Sequence, residues 1–210
     1  MMMENNSFLM FQPDEAKSFL TGHMPKRKIR LVQLHHTWSP EYKHFDGRNH
    51  ATRQASMRQS HLARGFNDIA QHFTVFPDGL ILTGRSLEQN PAGIKGANSG
   101  AVCIENFGNF DAGQDVMTSE QADAIVILVA ALCKVFGLEP ETAITYHAWW
   151  TAKGQALGDY HPAKSAKTCP GTAFFGGNTK DAFNKNLLPR IKCEMKTLDK
   201  TEEETEMRYK

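Results

Sequence analysis

The sequence predicts an α/β protein, a central mixed β-sheet flanked by helices, with its chemistry gathered at strand ends. Three observations carry that expectation. Short apolar runs, among them Leu31-Val32-Gln33-Leu34, Ala101–Glu105 and Ala143–Tyr146, are the length of buried strands and alternate with longer helical patterns. Two of these runs deliver a histidine at their end, His35 and His147. Far downstream, Cys169 sits in the polar, Pro/Gly-rich stretch Ala166-Lys167-Thr168-Cys169-Pro170-Gly171, an unusual setting for a cysteine kept only for packing.

Taken in order, Pro13-Asp14-Glu15 starts a short helix, because proline and acids favour a first turn. Lys26–Arg30 reads as a solvated basic linker into the first strand. His50 to Arg64 is a helix stopped by Gly65. Ile69–Val75 and Leu80–Leu82 form a hairpin about the Pro77-Asp78-Gly79 turn. Residues 84–99 make a long loop before the strand Ala101–Glu105. Thr118-Ser119-Glu120-Gln121 is a capping box, with Gln121 expected to reach back to the helix start. Its helix runs to Phe136 and ends at Gly137. After the strand to His147 comes a long loop to Cys169, then a last helix from Asn178 to about Lys192. The expected division is an N-terminal helical extension packed on the domain at 1–29, the main domain at 30–195, and a charged, disordered tail at 196–210.

Composition narrows the function. The 210 residues carry 24 Lys and Arg against 23 Asp and Glu, so nothing points to nucleic acid or an anionic membrane. No apolar run approaches the roughly 18 residues that cross a bilayer. The start of the chain lacks the basic and apolar regions of a signal peptide, which favours synthesis in the cytoplasm with export, if any, by another route. The four scattered cysteines, Cys103, Cys133, Cys169 and Cys193, do not resemble a disulfide framework, and free thiols are expected. Cys133 reads as core, and Cys103 as core or as lining of the site.

Two strand-end imidazoles and one loop thiolate suit a catalytic zinc with water in the fourth position. On the residues alone, His36 rivals His35 and His161 rivals His147. Side chains alternate along a strand, so only one of His35 and His36 can face the metal, and His161 has no strand before it.

With these residues in place the chain resembles the zinc-dependent N-acetylmuramoyl-L-alanine amidases, whose fold is shared with phage amidase lysozymes, peptidoglycan recognition proteins and anhydromuramyl-peptide amidases. The resemblance runs from about Arg30 to about Asn178. It is carried by Leu34-His35-His36-Thr37, Asp68–Phe73, Pro77-Asp78-Gly79, Gly84-Arg85, Ile104–Gly108, Tyr146-His147 and Lys167–Gly171. It implies that His35, His147 and Cys169 hold Zn2+, that Lys167 is the catalytic lysine, and that Glu105 is the strand glutamate of the anhydromuramyl branch. The phage branch has a tyrosine where this chain has Gln71, and many relatives have a shorter loop between the second histidine and the cysteine. The implied activity is hydrolysis of the amide between N-acetylmuramic acid and L-alanine in peptidoglycan or muropeptides, by a monomer acting at the cell wall. The alternative is a peptidoglycan-binding module without turnover. Trp38, Trp149 and Trp150 read as groove walls or packing, His72 as structural or substrate-contacting, and Arg85 with the Asn98 loop as contacts for substrate carboxylates.

Overall fold

A computed structural model describes residues 8–208, and the side chains of residues 8–200. The first seven residues of the expected extension and the last two of the expected tail lie outside the described residues.

Six strands form one sheet: β1 (Met10–Phe11), β2 (Leu31–His36), β3 (Phe73–Val75), β4 (Ile81–Thr83), β5 (Ala101–Asn106) and β6 (Ile144–Tyr146). Their spatial order is β1-β4-β3-β5-β2-β6. The sheet is mixed, as expected: β3, β5, β2 and β6 run parallel, while β4 pairs antiparallel with β3 and with β1. The helices are α1 (Ala16–Gly22), α2 (His50–Ala63), α3 (Ser119–Phe136), α4 (Pro140–Ala143), α5 (Lys180–Ala182) and α6 (Leu188–Arg208).

Strand alternation gives the sheet two unlike faces. Val32, Leu34, Phe73, Val75, Val102 and Ile104 point to one face and join a single apolar core with α1, α3 and α6. Buried residues run almost without a break along α3 from Ala124 to Cys133, the pattern of a helix enclosed on all sides. The opposite face carries Gln33, His35, Thr74, Cys103 and Glu105. There α2 packs through Gln54, which accepts from Thr74 Oγ1 (2.7 Å) and donates to the Thr83 carbonyl (2.9 Å). The remainder of that polar face is open and becomes the site.

Several sequence expectations shift. β1 is a short edge strand that carried no signal, and β3 begins at Phe73 rather than Ile69. Thr118 does cap α3, accepting from Gln121 N, and Gly137 ends it in the left-handed conformation (φ 62°). Gln121, however, does not reach back. It is fully buried and its amide donates to the carbonyls of Val75 and Phe107 (2.8 and 3.0 Å), which tie the helix start to the sheet. The cap before α5 is Thr179, not Asn178. Beyond Lys192 the helix continues to Arg208, through the stretch read as disordered. No glycine or proline interrupts it there, and Leu188, Ile191, Met195 and Leu198 recur at helical spacing against the core.

Truncating Gln121 leaves the buried Phe107 carbonyl unpaired, a loss of about 1–3 kcal/mol, while the Val75 carbonyl keeps Phe107 N as its second donor. In urea unfolding, Gln121→Ala should lose about 1–3 kcal/mol, whereas Glu120→Ala beside it, on an exposed site, should stay within about 0.5 kcal/mol of the parent.

Candidate metal centre

Parallel pairing brings the carboxyl ends of β2, β5 and β6 to one edge, the usual place for sites in such sheets. The register sets His35 directly opposite Glu105 across the β2–β5 pair. On the other side Leu34 pairs with Tyr146, so His147 is the next residue beyond that pair. The two imidazole rings meet edge to face with centroids 5.1 Å apart. Cys169 reaches them from its loop, its Sγ 3.4 Å from His35 Nδ1. One donor atom from each of His35, His147 and Cys169 lies within 4.8 Å of the others.

The cysteine loop is pinned from below. Ala148 N donates to the Cys169 carbonyl (2.7 Å), and Asn178 holds the Thr168 carbonyl (2.8 Å). Asp111 accepts from Thr168 Oγ1 and from Thr172 N, both at 3.1 Å. Gly171 must lack a side chain, because a Cβ there would sit 2.3 Å from the Phe110 carbonyl oxygen. The long 148–166 insertion folds back on itself through bridges between Trp150 and Ala156 and between Thr151 and Ser165. Its Gly154 presses backbone to backbone on Gly96, in the loop that roofs His35.

Under that roof, His35 Nε2 and Gln33 Oε1 are both buried without a hydrogen-bond partner. Both border Gly93, where an added Cβ would lie 3.0 and 2.2 Å from them. Gln33 is anchored from its other end by donating to the Ala97 carbonyl (2.9 Å), and Asn98 Oδ1 accepts from Gly93 N and Ile94 N.

The donor set fits a divalent cation. Burial, with the charges of His147 and Lys167, holds His35 well below the usual imidazole range, and burial lowers His147 to about 4. Both rings are therefore neutral near pH 7 and offer a lone pair. Burial pushes the Cys169 thiol far up, with Glu105 adding to the effect, and a bound cation would reverse that by deprotonating the thiol. With bonds of about 2.0–2.3 Å, tetrahedral ligand atoms stand about 3.3–3.8 Å apart, a separation that the His35–Cys169 pair already has. A metal on Nδ1 leaves Nε2 protonated, a buried donor beside Gly93, which the free oxygen of Gln33 also borders.

The open face forms a cleft of about 820 Å3 that includes His35, Glu105, His147, Lys167 and Cys169 in its lining. Glu105 is raised to about 8 by burial, against the lowering pull of Lys167 and Arg64. Lys167 is exposed at the lip.

The structure also sorts the other candidates. His36 turns away from His35, and its Nδ1 accepts from Phe110 N (3.1 Å). His161 is exposed and outside the cleft, accepting from Ala163 N. His72 is buried, with Nδ1 accepting from Cys103 N and Nε2 on the Gln89 carbonyl, so its role is structural. Gln71 is fully buried outside the cleft lining. Arg85 does not face the cleft: it donates to the carbonyls of Ile69, Asn90 and Asp68. Asn98 is likewise occupied as the roof clamp. Trp149 and Trp150 pack, their indole N–H groups on the Asn178 carbonyl and Thr145 Oγ1. Trp38 alone of the three lines the cleft, 61% exposed and with φ 57°, a left-handed backbone that a bulky residue rarely adopts.

This sheet with a cleft over its parallel edge is the fold of peptidoglycan recognition proteins and endolysin-type amidases. Drosophila PGRP-LB is 21% identical over 77% of this chain and 82% of its own, with a TM-score of 0.57. Drosophila PGRP-SA is 21% identical over 78% and 82%, with a TM-score of 0.59. The endolysin amidase LysCS from Clostridium intestinale is 22% identical over 76% and 84%, with a TM-score of 0.51. The family model described as N-acetylmuramoyl-L-alanine amidase matches residues 25–172, and the chain belongs to that family. A pig N-acetylmuramoyl-L-alanine amidase is 29% identical over 169 residues, 79% of this chain, which spans about a quarter (25%) of that relative's length.

Gly93→Ala should press its Cβ on Gln33 and on the His35 ring, displace that ligand, and weaken binding of a divalent transition metal about 10–100-fold, the usual effect of disturbing the groups around a ligand. Competition titration with a chromogenic chelator reads the affinity, and unchanged far-UV circular dichroism shows that the fold has held.

Proposed function

We propose that the chain is a zinc-dependent amidase that hydrolyses the bond between the lactyl carbonyl of N-acetylmuramic acid and L-alanine. The observation that carries this reading is the convergence of His35, His147 and Cys169 on one point, with Glu105 in register beside them. Three protein donors leave one tetrahedral position open, whereas structural sites close all four. Zinc bound there supplies a Lewis acid and lowers the pKa of water to about 7. Glu105 accepts the proton of the attacking water and returns it to the leaving amine of L-alanine as the C–N bond breaks. Lys167 presents its ammonium to the oxyanion that the former carbonyl oxygen becomes. The roof loop and the Asp111 clamp keep the donors in place before substrate arrives, so little reorganisation accompanies the reaction. The competing reading, a recognition module without turnover, draws on the likeness to PGRP-SA, but it gives no use to Glu105 held beside the donors.

Incubation of the zinc-loaded protein with sacculi or a muramyl-peptide should release stem peptide with a free L-alanine amine, detected by mass spectrometry. Tight binding without release, at one zinc per chain, would favour the recognition module instead. Lys167→Met should lower kcat about 10²–10³-fold, and Glu105→Gln about 10²–10⁴-fold.

Glu105 works as its carboxylate, so kcat/KM should rise with pH through its pKa. That ascending limb should fall between the ordinary 4.5 and about 8, and it should vanish in Glu105→Gln.

A further inference from the structure

A chain whose cationic and acidic residues nearly cancel, 24 against 23, nevertheless has a cleft in which cations outnumber acids. Arg53, Arg64 and Lys167 line it, and Glu105 is its one acid among the described residues. Two of those cations belong to one helix, Arg53 within α2 and Arg64 as the residue that caps its C-terminal end. Arg53, Ser56, Met57, Ser60, His61 and Arg64 all line the cleft, and their steps of three and one mark one face of α2. That face is polar and cationic where a helix covering a sheet would ordinarily be apolar.

The charges on this face have no partner within the described residues. Arg58, on the same helix, donates to Asp68 at 2.7 Å and does not line the cleft. Arg53 and Arg64 form no ion pair, and Arg53 Nε is buried without a hydrogen-bond partner. A buried guanidinium N–H left unpaired is costly unless a ligand meets it. Arg64 lies over the Phe66 ring, its guanidinium carbon 5.2 Å from the centroid, and both residues line the cleft. Arg64 is also near enough to Glu105 to favour its carboxylate, so it marks the catalytic end of the wall. Eleven residues of helix separate Arg53 from it, about 16 Å at 1.5 Å per residue.

We infer that this face of α2 is a carboxylate-binding wall that holds the acidic peptide of the substrate along the cleft. The inference rests on the proposed function, which supplies the substrate's two halves. N-acetylated sugars are uncharged, so negative charge resides on the peptide, and a guanidinium fork pairs with a carboxylate through two N–H groups. An extended peptide advances about 3.3 Å per residue, so a span of about 16 Å matches roughly five residues and admits more than one carboxylate.

The experiment compares one muramyl-peptide with its carboxylates free and the same peptide with them amidated. The parent should favour the free acid about 10–100-fold in kcat/KM, mainly through KM, and less so as salt rises. Arg53→Gln and Arg64→Gln should each lose part of that preference. The double variant should bring the ratio near one, with partial rescue by Arg53→Lys and Arg64→Lys. Equal cleavage of both peptides by the parent, or a double variant that keeps the full preference, overturns the inference. Calorimetric binding of the two peptides measures the same ratio without turnover. A protein that selects the free acid through these arginines but cuts neither peptide would therefore contradict the catalytic proposal and leave the wall standing.

Discussion

The parallel pairing of β2 with β5 and β6 is the constraint on which the site depends. In parallel register, three strand ends come level at one edge. Here that sets Glu105 beside His35 and carries His147 one residue beyond the Leu34–Tyr146 pair. Slipping any one strand by a single residue would send its chemical group to the apolar face, since side chains alternate. The core beneath enforces the register, because Val32, Leu34, Val102 and Ile104 must all face α3. Burying the hydrophobic half of each strand thus also aligns its polar half.

The loops complete what the strands begin. Cys169 is not on the sheet, yet it stands 3.4 Å from His35 because its loop is held by Asp111, Asn178 and the close approach of Gly171 to Phe110. The roof over His35 works similarly, through Asn98 within the loop and the Gly96–Gly154 contact with the 148–166 insertion. The insertion thus acts as a brace for the loop that encloses Gln33 and His35.

Much of this was legible in the sequence, for physical reasons that differ by residue. His35 and His147 announced themselves because each follows an apolar run, and Cys169 because its surroundings are too polar for a packing cysteine. What stayed hidden depended on tertiary placement. Arg85 looked like a substrate contact, but three carbonyls of neighbouring loops occupy it, and no local pattern records such partners. Gln121 fits a capping box equally well as a bridge to β3 and β5, and burial decided between them. The charge run after Lys196 suggested disorder, although Leu198 continues the spacing of Leu188, Ile191 and Met195. The stripe from Arg53 to Arg64 went unread within a helix that the sequence did indicate. It acquired meaning only once α2 was seen to stand over the polar face of the sheet rather than the apolar one.

X-ray absorption at the zinc edge tests most directly the claim that two imidazoles and one thiolate share an ion with an open position. The account expects one zinc per chain, with one sulfur at about 2.3 Å and three nitrogen or oxygen neighbours at about 2.0–2.1 Å. A first shell of nitrogen and oxygen alone, with no sulfur scatterer, would contradict it.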